Sequence, residues 1–135
     1  MSEIPTGFVV SNDGLIQPSY KYRFPYDTEP IEENERIAQL ATWLSENLVA
    51  SPRKHVGSYT GKHLYERLTG RYVSNGEFIL AMRKAGFKNM KIHKGSPNVD
   101  FFCWWSKDHK DWHKVMPVVV YDRAAEKAAA EAEVA

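Results

Sequence analysis

The sequence predicts an α+β domain: three helices, then a basic β-hairpin, with further short strands toward each end. Three observations predict it. Apolar residues recur at helical spacing in three stretches between residues 31 and 86, and turn signals separate those stretches. Two runs rich in aromatic and apolar residues follow, joined by Lys94-Gly95-Ser96-Pro97-Asn98. The charge is also uneven: residues 51–94 hold ten Lys/Arg and only two acids, Glu66 and Glu77, in a chain of net charge +1. Residues 1–50 carry three basic and eight acidic side chains, and residues 95–135 carry five and seven. A basic middle between acidic flanks is the electrostatic footprint expected of a nucleic-acid binder.

At 135 residues, 43% hydrophobic and 13% aromatic, the chain is expected to form one domain with a real core. No apolar run approaches the roughly 18 residues of a membrane span. Met1-Ser2-Glu3-Ile4-Pro5 lacks the basic and apolar regions of a signal peptide. A single cysteine, Cys103, cannot close an internal disulfide, which suits a cytoplasmic location.

The elements follow in order. Residues 7–10 and 14–16 flank Asn12-Asp13-Gly14, a hairpin turn signal. Residues 18–30 hold three prolines and alternating Tyr20, Tyr22, Phe24 and Tyr26, so residues 1–30 are expected to be extended, with one aromatic face inward. Thr28 is the expected cap of a first helix. Glu29, Glu32, Glu33 and Glu35 would suit its positive end, and Ile37, Leu40, Ala41, Leu44 and Leu48 its apolar stripe. Trp43 lies at the edge of that stripe. The helix should run to about residue 49 and end before Ser51-Pro52.

A second helix opens at Ser58 or Thr60, uses Leu64, Tyr65 and Leu68, and ends at Gly70. After Arg71-Tyr72-Val73, Ser74 and Glu77 have the spacing of a capping box. They open a third helix over residues 74–86, with Phe78, Ile79, Ala81, Met82 and Ala85 on one arc. Strands are expected at 87–93 and 99–105, and a valine-rich one at 115–121, where Pro117 suggests a sheet edge. The Ala/Glu-rich residues 122–135 read as a mobile tail, leaving 31–121 as the folded domain.

Helix, helix, short turn, helix and basic hairpin is the order of a winged helix-turn-helix. Residues 31–105 resemble winged helix-turn-helix DNA-binding proteins. The run Tyr59-Thr60-Gly61-Lys62-His63-Leu64-Tyr65-Glu66, with Gly70-Arg71-Tyr72-Val73-Ser74-Asn75-Gly76-Glu77-Phe78, is also similar to small phage- and prophage-encoded proteins. The resemblance implies a non-enzymatic protein that binds double-stranded DNA in the host cytoplasm, with the third helix in the major groove and the hairpin 87–105 on the backbone.

Helical geometry places Gly76, Glu77, Leu80, Arg83 and Lys84 on the arc opposite the apolar one. Arg83 and Lys84 would reach guanine edges or phosphates, Asn75 a phosphate or base, and Gly76 would let the backbone approach a phosphate. Glu77 is the awkward member, since an acid facing DNA repels phosphate unless capping turns it back. Lys88, Lys91, His93 and Lys94 charge the hairpin, and Arg53, Lys54, His55, Lys62 and Arg71 add further phosphate ligands. About six such contacts give a log–log salt slope near −5. The bland counterparts are solvation for Arg83 and Lys84, and edge protection for the hairpin lysines.

Cys103, His109 and His113 supply only three metal ligands, so no metal and no cofactor are expected. Asp100, Asp108 and Asp111 with Lys107 have too generic a spacing for a nuclease. Phe101-Phe102-Cys103-Trp104-Trp105, with Trp112, reads mostly as core, yet one face of that strand must point outward and can meet a partner or a base. A homodimer, through the N-terminal aromatic segment or the C-terminal helix, would multiply specificity. The alternative is a phage-encoded protein-interaction module that inhibits a host protein through the basic surface or the aromatic patch. Burial of Arg83 or Lys84 against the acidic N-terminal segment would favour that alternative.

Overall fold

The computed structural model describes residues 4–106. They form a mixed α+β fold of three helices and two small antiparallel sheets. The expected strand 115–121, the tail 122–135, and Lys107, Asp108, His109, Asp111, Trp112 and His113 lie outside the described residues.

The Asp-Gly signal makes its turn: β1 (Val9–Ser11) pairs with β2 (Gly14–Ile16), Ser11 opposite Gly14. Residues 18–30 do not present one aromatic face inward. Tyr20 and Phe24 are exposed, Tyr22 and Tyr26 half-buried, and the rings pack on one another, Tyr20 on Tyr22 and Tyr22 on Tyr26. Beyond the segment, the Tyr20 ring lies against Gly95, and Tyr22 Oη accepts from Gln17 N at 2.8 Å.

The first helix, α1 (Glu35–Asn47), starts later than Thr28. Asn34 is its cap, with Oδ1 accepting from Ile37 N at 3.0 Å. The chain ahead of it is held elsewhere, since Ile31 N donates to Val10 O at 2.9 Å. Glu29, Glu32 and Glu33 therefore precede the helix rather than forming its first turn.

Nor does a loop follow at Ser51-Pro52. Leu48 turns extended at φ −121° and opens β3 (Leu48–Gly57), a strand the proline concealed. Its partner is β4 (Asp100–Trp105), antiparallel, with Leu48 opposite Trp105 and Gly57 opposite Asp100. Cys103 and Phe102 are neighbours in β4, yet they pair with Ala50 and His55, so residues 51–54 bulge out of the ladder. Pro52 has no amide to give a ladder and sits in this bulge.

The helices α2 (Ser58–Thr69) and α3 (Asn75–Lys84) match their signals closely. Gly70 ends α2 in the left-handed conformation, φ 72°. At the start of α3, Ser74 Oγ accepts from Glu77 N, and Glu77 Oε1 accepts from Ser74 N, both at 3.0 Å. The expected strand 87–93 shrinks to one bridge, Asn89 opposite Phe101. Beyond it the carbonyls of His93 and Ser96 accept from Gln17 Nε2 rather than from a strand.

The core lies between the helices and the inner face of the β3–β4 sheet. Ile37, Leu40 and Leu44 of α1 meet Leu64 of α2, Phe78, Ile79 and Met82 of α3, and Phe101, Cys103 and Trp105 of β4. No helix of the described residues is long and apolar enough to cross a membrane.

Candidate nucleic-acid interface

The N-terminal half of α3 is covered. Asn75 and Gly76 are buried, and the β1–β2 hairpin lies across them. Asn75 Nδ2 donates to Asp13 O and Pro97 O, both at 3.2 Å, and to Asn98 Oδ1 at 2.9 Å. A β-carbon on residue 76 would collide with the Ser11 carbonyl and with Ile31 Cδ1. These contacts correct the expectation that Asn75 and Gly76 face a ligand: glycine here admits the hairpin, not a phosphate.

Glu77 turns inward as well. It is 1% exposed, and its Oε2 accepts from Arg36 of α1, resolving the awkward acid. Leu80 is half-buried against the core. Only Arg83 and Lys84 of this helix are exposed, and Lys84 Nζ lies 3.4 Å from Glu33 Oε1. Lys62 is also a correction. It is buried, with Nζ donating to Glu66 Oε1 at 3.1 Å and to Val73 O at 3.2 Å, and lying 5.0 Å from the Tyr72 ring centroid.

The remaining basic side chains stay outside. Arg53, Lys54, His55, Arg71, Lys88, Lys91, His93 and Lys94 are exposed. Among the described residues, Arg53, Arg71, Arg83, Lys88, Lys91 and Lys94 have no carboxylate partner.

Three of these cations gather at the β3 bulge. Facing residues of an antiparallel pair share a side, so His55 with Phe102, and Val49 with Trp104, form the outer face of the sheet. The alternation in β4 follows: Phe101, Cys103 and Trp105 are buried, Phe102 and Trp104 half-buried. Ser51 Oγ accepts from Lys54 N at 3.1 Å and shapes the bulge, which brings Lys54 Nζ to 4.9 Å from the Trp104 ring centroid. Beside it, a cleft of about 540 Å³ is lined by Ala50, Ser51, Pro52, Phe87, Lys88 and Phe102. Rings and apolar side chains floor this cleft, Lys88 lines it, and Arg53 and Lys54 follow Pro52 in the bulge.

This cluster was only half legible in the sequence. The sequence marks Arg53, Lys54 and Lys88 as basic positions, but gives no local sign of a bulged strand at 51–54. The available signal was Arg53-Lys54-His55 between a proline and the apolar Val56, opposite an aromatic run.

Cys103 faces the core. Burial pushes its thiol up from 9.0 to about 12, and a hydrogen bond from the Val56 backbone works weakly against that. Among the described residues no cluster of three His, Cys, Asp or Glu side chains is arranged to hold a metal ion. No family model, curated protein or solved structure matches this chain.

Proposed function

We propose that this chain is a nucleic-acid-binding protein that holds its ligand at the β3 bulge and the adjoining cleft, rather than by inserting α3 into a groove. The observation that carries the proposal is Lys88 in the lining of an apolar, ring-bearing cleft at the bulge that holds Arg53 and Lys54, all three without carboxylate partners among the described residues. Cations that track phosphates beside rings that accept bases are what an unpaired strand requires. A groove reader needs an exposed helix start, and the burial of Asn75 and Gly76 weighs against one here. The order α1, β3, α2, α3, β4, with residues 87–98 as an excursion before β4, supports a winged helix-turn-helix scaffold modified by the covering hairpin.

The test is fluorescence anisotropy with a labelled single strand and its duplex at about 50 and 200 mM salt. The proposal expects tighter binding of the single strand, weakening with salt by a slope of about −2 to −3 for three phosphate contacts. Binding of neither form at the lower salt would refute it.

One observation favours the second reading, a protein-interaction module. Lys84 pairs with Glu33 of the acidic N-terminal segment, although the pair is exposed and neither Lys84 nor Arg83 is buried. In that case the aromatic cleft would receive a partner's side chain.

A further inference from the structure

Asp100, Phe102 and Trp104 alternate along β4 and share its outer face, all three half-buried. Phe102 belongs to the cleft already described. Asp100 and Trp104 bound a second pocket, of about 340 Å³, whose lining includes His55, Gly57 and Thr60. Side chains two residues apart on one strand stand about 6.8 Å apart, a spacing that successive bases of an extended, unstacked strand can follow. Lys54 lies over Trp104 but takes no part in this lining, so the surface that Trp104 turns to the pocket is left to a ligand.

The Asp100 carboxylate is the second, independent observation. Its Oδ1 lies 2.8 Å from where a β-carbon on Gly57 would stand, so it is laid across the bare glycine opposite it in the ladder. Glycine and carboxylate bound the same pocket. Among the described residues this carboxylate has neither a hydrogen-bond donor nor a cationic partner. On a surface that holds phosphates, an unpartnered acid weakens the binding of every strand. Only a ligand group that donates to it offsets that loss.

Resting on the single-strand reading above, we propose that this pocket takes a guanine. Its ring lies against Trp104, and its N1–H and 2-amino group donate to the two Asp100 oxygens. Guanine is the one standard base with two adjacent N–H donors on its pairing edge, the pattern that a carboxylate accepts in parallel. Adenine and cytosine set a ring nitrogen acceptor beside their amino group, and thymine and uracil flank one N–H with two carbonyls. Each of these would turn a lone pair toward Asp100. His55 and Thr60, in the same lining, carry the kind of donor that the guanine O6 needs.

The test is anisotropy at about 50 mM salt with short thymidine strands, which leave few alternative registers. One strand is all thymidine, and the others carry a single guanosine, inosine or adenosine. The guanosine strand should bind about tenfold tighter than the all-thymidine strand, the worth of one bidentate base contact. Inosine, which lacks the 2-amino group, should fall between them, and adenosine should gain nothing. Asp100→Ala should erase the guanosine preference while the all-thymidine strand binds as tightly as before or tighter. Asp100→Asn, which keeps one acceptor, should retain part of it. Asp100 is half-buried and unpartnered, so both variants should fold, which thermal unfolding verifies. No binding of any strand would sink the single-strand reading and this inference with it. Binding without a guanosine preference, or with one that survives Asp100→Ala, would overturn this inference alone.

Discussion

Arg36 on α1 and Glu77 on α3 are joined across the helix pair: Nη2 lies 3.0 Å from Oε2, and Nε donates to the same oxygen at 3.1 Å. The other carboxylate oxygen accepts from Ser74 N, and Asn34 Nδ2 also reaches Oε2, at 3.3 Å. One buried acid thus ties the starts of both helices together. Arg36 itself is 64% exposed, so its own desolvation is modest, but removing it takes the charged donor from a carboxylate that is 1% exposed and leaves it Ser74 N and Asn34 Nδ2.

Arg36→Ala should therefore cost about 1.5–3 kcal/mol, the range for hydrogen bonds to a charged group. Glu77→Ala should cost more, about 3 kcal/mol, because it also removes the capping box. Urea denaturation of both variants checks the order. By contrast, Lys84→Ala breaks only the exposed pair with Glu33 and should move stability by less than about 1 kcal/mol.

Gly76→Ala tests whether the hairpin is built into the fold. The new methyl would meet the Ser11 backbone, which cannot rotate away as a side chain can. A loss of about 2–3 kcal/mol is expected. It should come with faster hydrogen exchange at Leu15, whose amide donates to Pro97 O at 2.9 Å. Unchanged exchange there would show that the hairpin packs differently.

Cys103 gives a prediction in pH. Its thiol titrates near 9.0 when free of the fold and is pushed up to about 12 in the native state. Below pH 9 both states hold the proton and this group leaves stability independent of pH. From pH 9 toward 12 the unfolded chain releases the proton first, so stability should fall across that window. Cys103→Ala should lessen the fall. At pH 8 the native thiol should react with a disulfide reagent far more slowly than the same chain in guanidinium.

Local signals with a steric or hydrogen-bonding cause were readable from the residues. Ser74 with Glu77, Gly70, and the Asn12-Asp13-Gly14 turn each fix a backbone feature within a few residues, and each appears where its chemistry requires. What failed depended on distant partners. The β3 strand was hidden because Pro52 looked like a break, and only pairing with β4, about fifty residues on, makes residues 48–57 extended. The outward arc of α3 failed for the same reason: helical periodicity placed Arg83 and Lys84 correctly, but nothing local told that residues 11–15 would cover Asn75 and Gly76. Lys62 counted as a surface cation until Glu66 and the Val73 carbonyl claimed it.

The proposed nucleic-acid contact lies at the β3 bulge and not on α3. Comparing Arg53→Ala/Lys54→Ala with Arg83→Ala/Lys84→Ala, by anisotropy on one labelled single strand across a salt series, tests it most directly. The first pair should weaken binding and make the log–log salt slope shallower by about 2, while the second should change either quantity little. Binding intact in the first variant and lost in the second would contradict it and return the contact to the end of α3.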